Sequence, residues 1–183
     1  MVRFLIVLLT LLLASCGDPP NQLLFQIPSS DLKVRPSVRT VEVMQASLPT
    51  YAEAQEISVE GENGTLQQVP EILWADEPAR ALTSSMVRLL SSISGAQVAA
   101  EPWPLAGVPD VEVTIRVEQL TVSDPAQLQL SGQYGLRYDQ EGRRGRLRLF
   151  DVTIPLVSTS LKSISDGYSE AWTELAEKIA RDL

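Results

Sequence analysis

The 183-residue chain contains no histidine and a single cysteine, Cys16. Without histidine, neither a Ser-His-Asp nor a Cys-His nucleophile system can be assembled. The imidazole and thiolate sets that hold zinc, copper and iron are missing for the same reason. There is no Gly-rich phosphate loop, and aromatic residues make up only 5% of the chain. Basic residues are also scarce, 15 Lys and Arg against 23 Asp and Glu. Such a balance lacks the basic footprint of a nucleic-acid-binding domain, and its charge favours solubility. No internal repeat or low-complexity tract is present, and no apolar run approaches the ~20 residues of a spanning helix.

What the composition leaves is carboxylate-only chemistry, since glycoside hydrolysis needs just two acids at a set separation. Glu101, Asp110, Asp124 and Asp139 are the acids that could be nominated. Each lies near Pro or Gly in a predicted loop, where acids ordinarily serve as solvated turn residues. The expectation is therefore no enzyme, and no cofactor or metal beyond a covalent lipid. Asn63-Gly64-Thr65 fits the glycosylation sequon, but Asn-Gly is equally a turn signal and is read as one.

The lipid expectation comes from the first sixteen residues. Arg3 gives a positive start, Phe4 to Leu13 an apolar run, and Ala14-Ser15 a small-residue site before Cys16. That order resembles a bacterial lipoprotein signal with its lipobox, in which cleavage precedes a cysteine whose thiol carries diacylglycerol. A secretory signal with an incidental cysteine is the alternative, and the odd thiol would then need an intermolecular partner. Several acyl chains, at ~0.8 kcal/mol per buried CH₂, hold a protein firmly where one chain binds reversibly. Gly17 follows the cysteine; by resemblance to the proteobacterial sorting rule, an aspartate there would favour the inner membrane. The expected location is thus the periplasmic face of the outer membrane. Cleavage leaves 168 residues with 14 of the 15 basic side chains. Residues 16–22 read as a lipidated tether carrying Pro19-Pro20, and 23–183 as one domain with its own core.

Within that domain, Leu23 to Ile27 reads as a first strand and the Val-rich Ser37 to Met44 as a second, half-buried one. Residues 57–60 and 65–69 flank Gly61-Glu62-Asn63-Gly64 and predict a small hairpin. Asp76 to Ser94 reads as a helix with Asp76 as cap, Pro78 in the first turn and Gly95 as stop. Ala79, Leu82, Met86, Leu89 and Ile93 form its apolar stripe. Gln97 to Ala100 is a short strand, followed by the Pro102-Trp103-Pro104 loop. Val111, Val113, Ile115 and Val117 alternate with polar residues, and Leu128, Leu130, Tyr134, Leu136 and Tyr138 keep one phase. A turn at Asp139 to Arg143 leads into a strand over Arg144 to Ile154. There Leu147 and Leu149 have one parity and Val152 and Ile154 the other, so a bulge is expected near Phe150. Three long strands in succession imply an antiparallel meander with one wet face. The last helix spans about Ser163 to Asp182, buries Ile164, Tyr168, Trp172, Leu175 and Ile179, and opens on a Ser163/Asp166 capping box. The expected fold is α+β, a mostly antiparallel sheet of about six strands with two main helices packed on one face.

The lipobox, the Leu48-Pro49-Thr50-Tyr51 segment, the Leu73-Trp74-Ala75-Asp76-Glu77-Pro78 helix entry, the meander and the Trp-bearing final helix together resemble the PqiC family. These are ABC-type transport auxiliary lipoproteins, also described as membrane-integrity-associated transporter subunits. The resemblance implies the outer-membrane subunit of a PqiABC-like MCE lipid transport system. Such a subunit docks a periplasmic, PqiB-like MCE-domain protein whose tunnel carries phospholipid or other hydrophobic molecules between the membranes. It further implies a ring-like homo-oligomer. A lipid-carrying lipoprotein with its own cavity between sheet and helices is the alternative.

Five residues are candidate partner or oligomer contacts. Trp103, between two prolines, and Tyr51, in its own Pro-bearing loop, could be aromatic anchors or simple core cover. Trp74 could staple the helix entry or meet a subunit. Arg143 and Arg144 belong with Arg137, Arg146 and Arg148 to one predicted hairpin that concentrates five of the 14 mature basic residues. That group could face anionic head groups or an acidic partner. Alternatively, Arg146 and Arg148 are a strand's wet face and Arg143 and Arg144 serve the turn.

Overall fold

The strongest alternating segment becomes the strand around which the sheet is organised. The computed structural model describes residues 21–183 apart from Ile27, Asp124, Pro125 and Glu141, so Cys16 and its leader lie outside the described residues. In chain order the elements are β1 (Asn21–Leu23), β2 (Thr40–Val43), α1 (Thr50–Glu53), β3 (Glu56–Glu60), a 3₁₀ turn (Glu62–Gly64), β4 (Leu66–Trp74), α2 (Pro78–Ser94), β5 (Gln97–Ala100), β6 (Val111–Ser123), β7 (Gln127–Tyr138), β8 (Arg146–Pro155) and α3 (Leu161–Asp182).

One edge of β6 pairs along its length with β7, which pairs with β8. The other edge is shared: β2 lies parallel to Val111–Val113, and β3 meets Val122. β5 lies outside β2, while β4 and β1 lie outside β3. The meander β6–β7–β8 and the hairpin β3–β4 are antiparallel as expected, with Asn63 at φ 61° in the turn between β3 and β4. The remaining pairings (β1/β4, β2/β5, β2/β6, β3/β6) are all parallel. The sheet is therefore mixed and has eight strands among the described residues, not mostly antiparallel with about six. Its parallel part follows from the chain path: β5 and β6 flank β2, so residues 101–110 must cross β2 to begin β6 in the same direction.

Parity explains two further differences. On β6, Val111, Val113, Ile115 and Val117 are buried, and then Leu120 and Val122. The pairing with β7 slips between Val117 and Gln119, opposite Gly132. That bulge puts both halves of β6 on the same core. Gly132 permits it, because a Cβ there would stand 2.2 Å from the Arg116 carbonyl oxygen. β8, where the bulge was expected, pairs with β7 without a break from Arg146 to Pro155. Phe150, Val152 and Ile154 face the core, and Leu147 and Leu149 are left on the outer face, 65% and 81% exposed. The parity conflict is real, but it is left on the surface and not repaired.

Helices α2 and α3 pack against each other and cover the inner face of the sheet. Met86, Leu90, Trp172 and Leu175 are wholly or almost wholly buried between the layers, each such burial being worth ~1.5–3 kcal/mol. Trp172 Nε1 donates to the Leu82 carbonyl at 2.8 Å, tying one helix to the other. The caps differ from expectation. Glu77 is the N-cap of α2, and Asp76, one place earlier, accepts from the Glu77 N–H and pairs with Arg80. α3 starts two residues sooner than expected, so Ser160 caps it by accepting from the Ser163 N–H, and Asp166 pairs with Lys162. Gly95 ends α2 in the left-handed conformation, its N–H on the Ser91 carbonyl. At the N-terminus the strand is Asn21–Leu23, not Leu23–Ile27, and Phe25 leaves it to stack on Trp74 at 4.0 Å.

Candidate interaction surfaces

The arginine-rich hairpin lies against the end of α3. Tyr134 and Tyr138 are four apart on β7, an even spacing, and so share its inner face. Tyr134 Oη donates to Asp182 Oδ2 at 2.7 Å, and Tyr138 Oη to the Asp182 carbonyl at 3.1 Å. Arg146 Nη1 reaches that carbonyl at 2.8 Å, and Arg148 Nε stands 3.3 Å from Asp182 Oδ2. Arg143 lies 3.5 Å above the Tyr138 ring and donates to Ser37 Oγ at 2.8 Å and the Leu183 carbonyl at 3.1 Å. Carbonyls at a helix C-terminus lack intrahelical donors and carry the negative end of the helix dipole, so arginine forks fit there twice over. Burial, then the bond to Asp182, pushes the Tyr134 hydroxyl far above its usual range, which keeps it a donor.

The five arginines thus divide. Arg143, Arg146 and Arg148 are turned toward α3, and Arg137 pairs with Glu112. Arg144 is exposed and makes no side-chain hydrogen bond or ion pair among the described residues. The aromatic candidates divide as well. Trp74 is buried between Phe25 and Tyr168, the latter ring centred 5.2 Å away. Tyr51 Oη accepts the Leu120 N–H at 3.1 Å, holding β6 just beyond its bulge. Trp103 is half-buried in the loop that crosses β2, and its indole N–H is buried without an acceptor among the described residues. Leu105 and Val108 of the same loop are exposed.

Three of the four nominated acids lie within the described residues, and two of them hold backbone. Glu101 accepts the Gln45 N–H at 2.8 Å. Asp110 Oδ2 accepts from the Arg39 and Thr40 N–H groups at 2.7 and 3.0 Å. The bond from Arg39 does most to hold the Asp110 carboxyl below the usual range. Asp139 is tied through its backbone N–H to the Asp110 carbonyl. Asp124 lies outside the described residues.

The strand expected over Ser37 to Met44 is shorter, Thr40–Val43, and the residues ahead of it, 34–39, instead strap the C-terminal ends of both helices. Val34 N–H donates to the Ile93 carbonyl, and Ser37 Oγ donates to the Leu183 carbonyl. Solvent-open grooves of about 680, 450 and 360 Å³ border the strap. Arg35 and Arg39 line the first, Arg39 and Arg143 the second, and Arg35, Arg143, Arg146 and Arg181 the third. The alternation of polar Arg35, Ser37 and Arg39 with Val34, Pro36 and Val38 is the one sequence signal that could have marked it.

A mixed sheet covered on one face by two helices is also the fold of other solved structures. A crystal structure of an uncharacterised protein matches it at TM-score 0.72 with 16% identity, over 88% of this chain and 98% of that one. A Xanthomonas campestris protein matches at TM-score 0.67 with 20% identity, over 87% and 92%. Among curated proteins the chain finds no match. The family model described as ABC-type transport auxiliary lipoprotein component matches residues 22–180, and the chain belongs to that family. It is the PqiC-type family whose resemblance the sequence carries, a family of membrane-associated transport lipoproteins and not a known enzyme family. No helix among the described residues is long and apolar enough to cross a membrane.

Proposed function

We propose that this protein is the outer-membrane lipoprotein subunit of a PqiABC-like MCE lipid transport system. Lipid on Cys16 holds it at the periplasmic face, and the folded domain docks a PqiB-like tunnel protein that carries phospholipid or another hydrophobic molecule. The observation that carries this reading is the family match beginning at residue 22, six residues after the lipobox cysteine. The packed layer between sheet and helices, with Met86 and Leu175 fully buried, supports a scaffold over a lipid carrier with its own cavity. Self-association is supported by β8, which among the described residues pairs only with β7 and exposes Leu147 and Leu149. A long edge with apolar side chains invites another chain unless it is covered.

The test is a mild-detergent pull-down from membranes with mass measurement of the intact assembly. The expected mass includes a diacylglyceryl Cys16, an MCE-domain partner and more than one copy of this chain. A product that keeps its leader, or that comes down alone, contradicts the reading.

A further inference from the structure

We infer that the arginine-lined end of the domain, opposite the point where the tether enters, docks an acidic segment of a partner protein. This rests on the anchored-docking reading and names the chemistry of the docked surface. The distance comes from β6. Val111 stands at the arginine-lined end, beside Asp110 and the strap, while Leu120 is held by Tyr51 and Val122 pairs with β3. Nine residues of strand at ~3.3 Å each separate the two levels by roughly 30 Å. The tether enters at Asn21, opposite Ile72 on β4, which belongs to the far level. Residues 16–20 can span at most ~17 Å. A lipid on Cys16 therefore holds the far end near the bilayer and turns the arginine-lined end toward the periplasm.

Charge is distributed to match. Arg35, Arg39, Arg143, Arg144, Arg146, Arg148 and Arg181 gather at one end, half of the 14 basic residues that follow Arg3. Glu42, Asp110, Glu112, Asp139, Glu177 and Asp182 accompany them, with Arg137 paired to Glu112. Glu53, Glu56, Asp76 and Glu77 lie toward the tether, with Arg80 already paired to Asp76. In a chain with a formal net charge of −8, this end is close to balanced, so its attraction for an anion rests on the arginines that stay unpaired. Within it, Arg35 and Arg39 are exposed on the strap and make no side-chain hydrogen bond or ion pair among the described residues. Both line the same groove of about 680 Å³. Asp110 lines the groove too and is attracted to Arg39, but its carboxylate is held by the Arg39 and Thr40 N–H groups. Both guanidinium forks therefore keep free N–H donors, which fit the paired carboxylates of a Glu- or Asp-rich segment.

The test uses the full lipidated protein in mild detergent, with Arg35→Glu/Arg39→Glu as the variant. The probe is a fluorescent twelve-residue polyglutamate peptide, and capture of the periplasmic partner is followed in parallel. The wild type is expected to bind the peptide with affinity that falls as salt rises. The variant should bind about tenfold more weakly or worse and capture less partner, with its melting temperature and its Cys16 lipidation unchanged. Equal peptide binding by variant and wild type overturns the inference. So does a variant that instead loses binding to phosphatidylglycerol vesicles, which would place this end on the membrane, or one whose assembly falls apart, which would make the occupant a second copy. An unlipidated Cys16 with peptide binding intact overturns the anchor reading and the orientation drawn from it, and leaves the acidic-ligand chemistry standing.

Discussion

Replacing Leu147 and Leu149 together with threonine tests whether β8 is where copies of the chain meet. Threonine keeps strand propensity, so the backbone of β8 has no reason to change. Both leucines are exposed on the outer face, so folding stability should move by less than about 0.5 kcal/mol. Full burial of a leucine is worth ~1.5–3 kcal/mol. Scaled by exposures of 65% and 81%, covering both at a subunit contact contributes roughly 2–4 kcal/mol. Losing that weakens each contact by between about thirtyfold and a thousandfold. Native mass measurement or sedimentation across a protein dilution series reads the change directly. Assembly that dissociates over the same concentrations in variant and wild type refutes the assignment of β8. A melting temperature lowered by several degrees refutes the other premise, that these leucines contribute nothing to the monomer.

Gly132→Ala should destabilise by about 2 kcal/mol or more, because the new methyl meets the Arg116 carbonyl at the bulge; a denaturant midpoint within error of wild type would show that the bulge relaxes freely. Trp172→Phe should cost about 1–2 kcal/mol for the lost bond to Leu82, and Trp172→Ala about 3–5 kcal/mol, both read from chemical unfolding. The Asp110 carboxyl sits below its unfolded value, so its stabilisation is present above roughly pH 4 and is lost as pH falls through the lower folded value. Asp110→Asn should therefore be less stable than wild type at pH 7, with the gap closing as pH falls through the lowered folded value; a gap that stays the same size from pH 7 into strong acid removes the carboxylate's charge from the account.

What could be read from the residues was local. The phase from Val111 to Val117, the run from Leu128 to Tyr138, Pro78 in a first turn, Gly95 as a stop and Asn63-Gly64 as a turn are short-range chemistry, and each stands where expected. Strand order was not readable, because a period of two fixes which face a side chain takes and says nothing about direction or neighbour. The bulge could be placed only once β7 was known to bring Gly132 against Arg116. The start of α3 was ambiguous because Ser158, Ser160 and Ser163 offer the same capping oxygen. For the interaction surfaces, an aromatic residue beside a proline signals rigidity whichever way it points. Trp74 turns inward because Phe25, about fifty positions away in sequence, arrives to stack on it. Arg143, Arg146 and Arg148 were visible as a cluster, but Asp182, the group most of them serve, lies a whole strand and helix further on.

The three-residue β1 has a mechanical consequence. Any pull along a lipid tether reaches the domain there, before it reaches any other element. Because Asn21, Gln22 and Leu23 lie parallel to Ile72, Leu73 and Trp74, force along the strand loads their bonds in shear, all together, and does not unzip them singly. Should they yield, the slack runs only as far as Phe25, wedged on the Trp74 ring. The link to the bilayer thus has a short grip and a catch behind it, and eight-stranded integrity need not depend on the first to give.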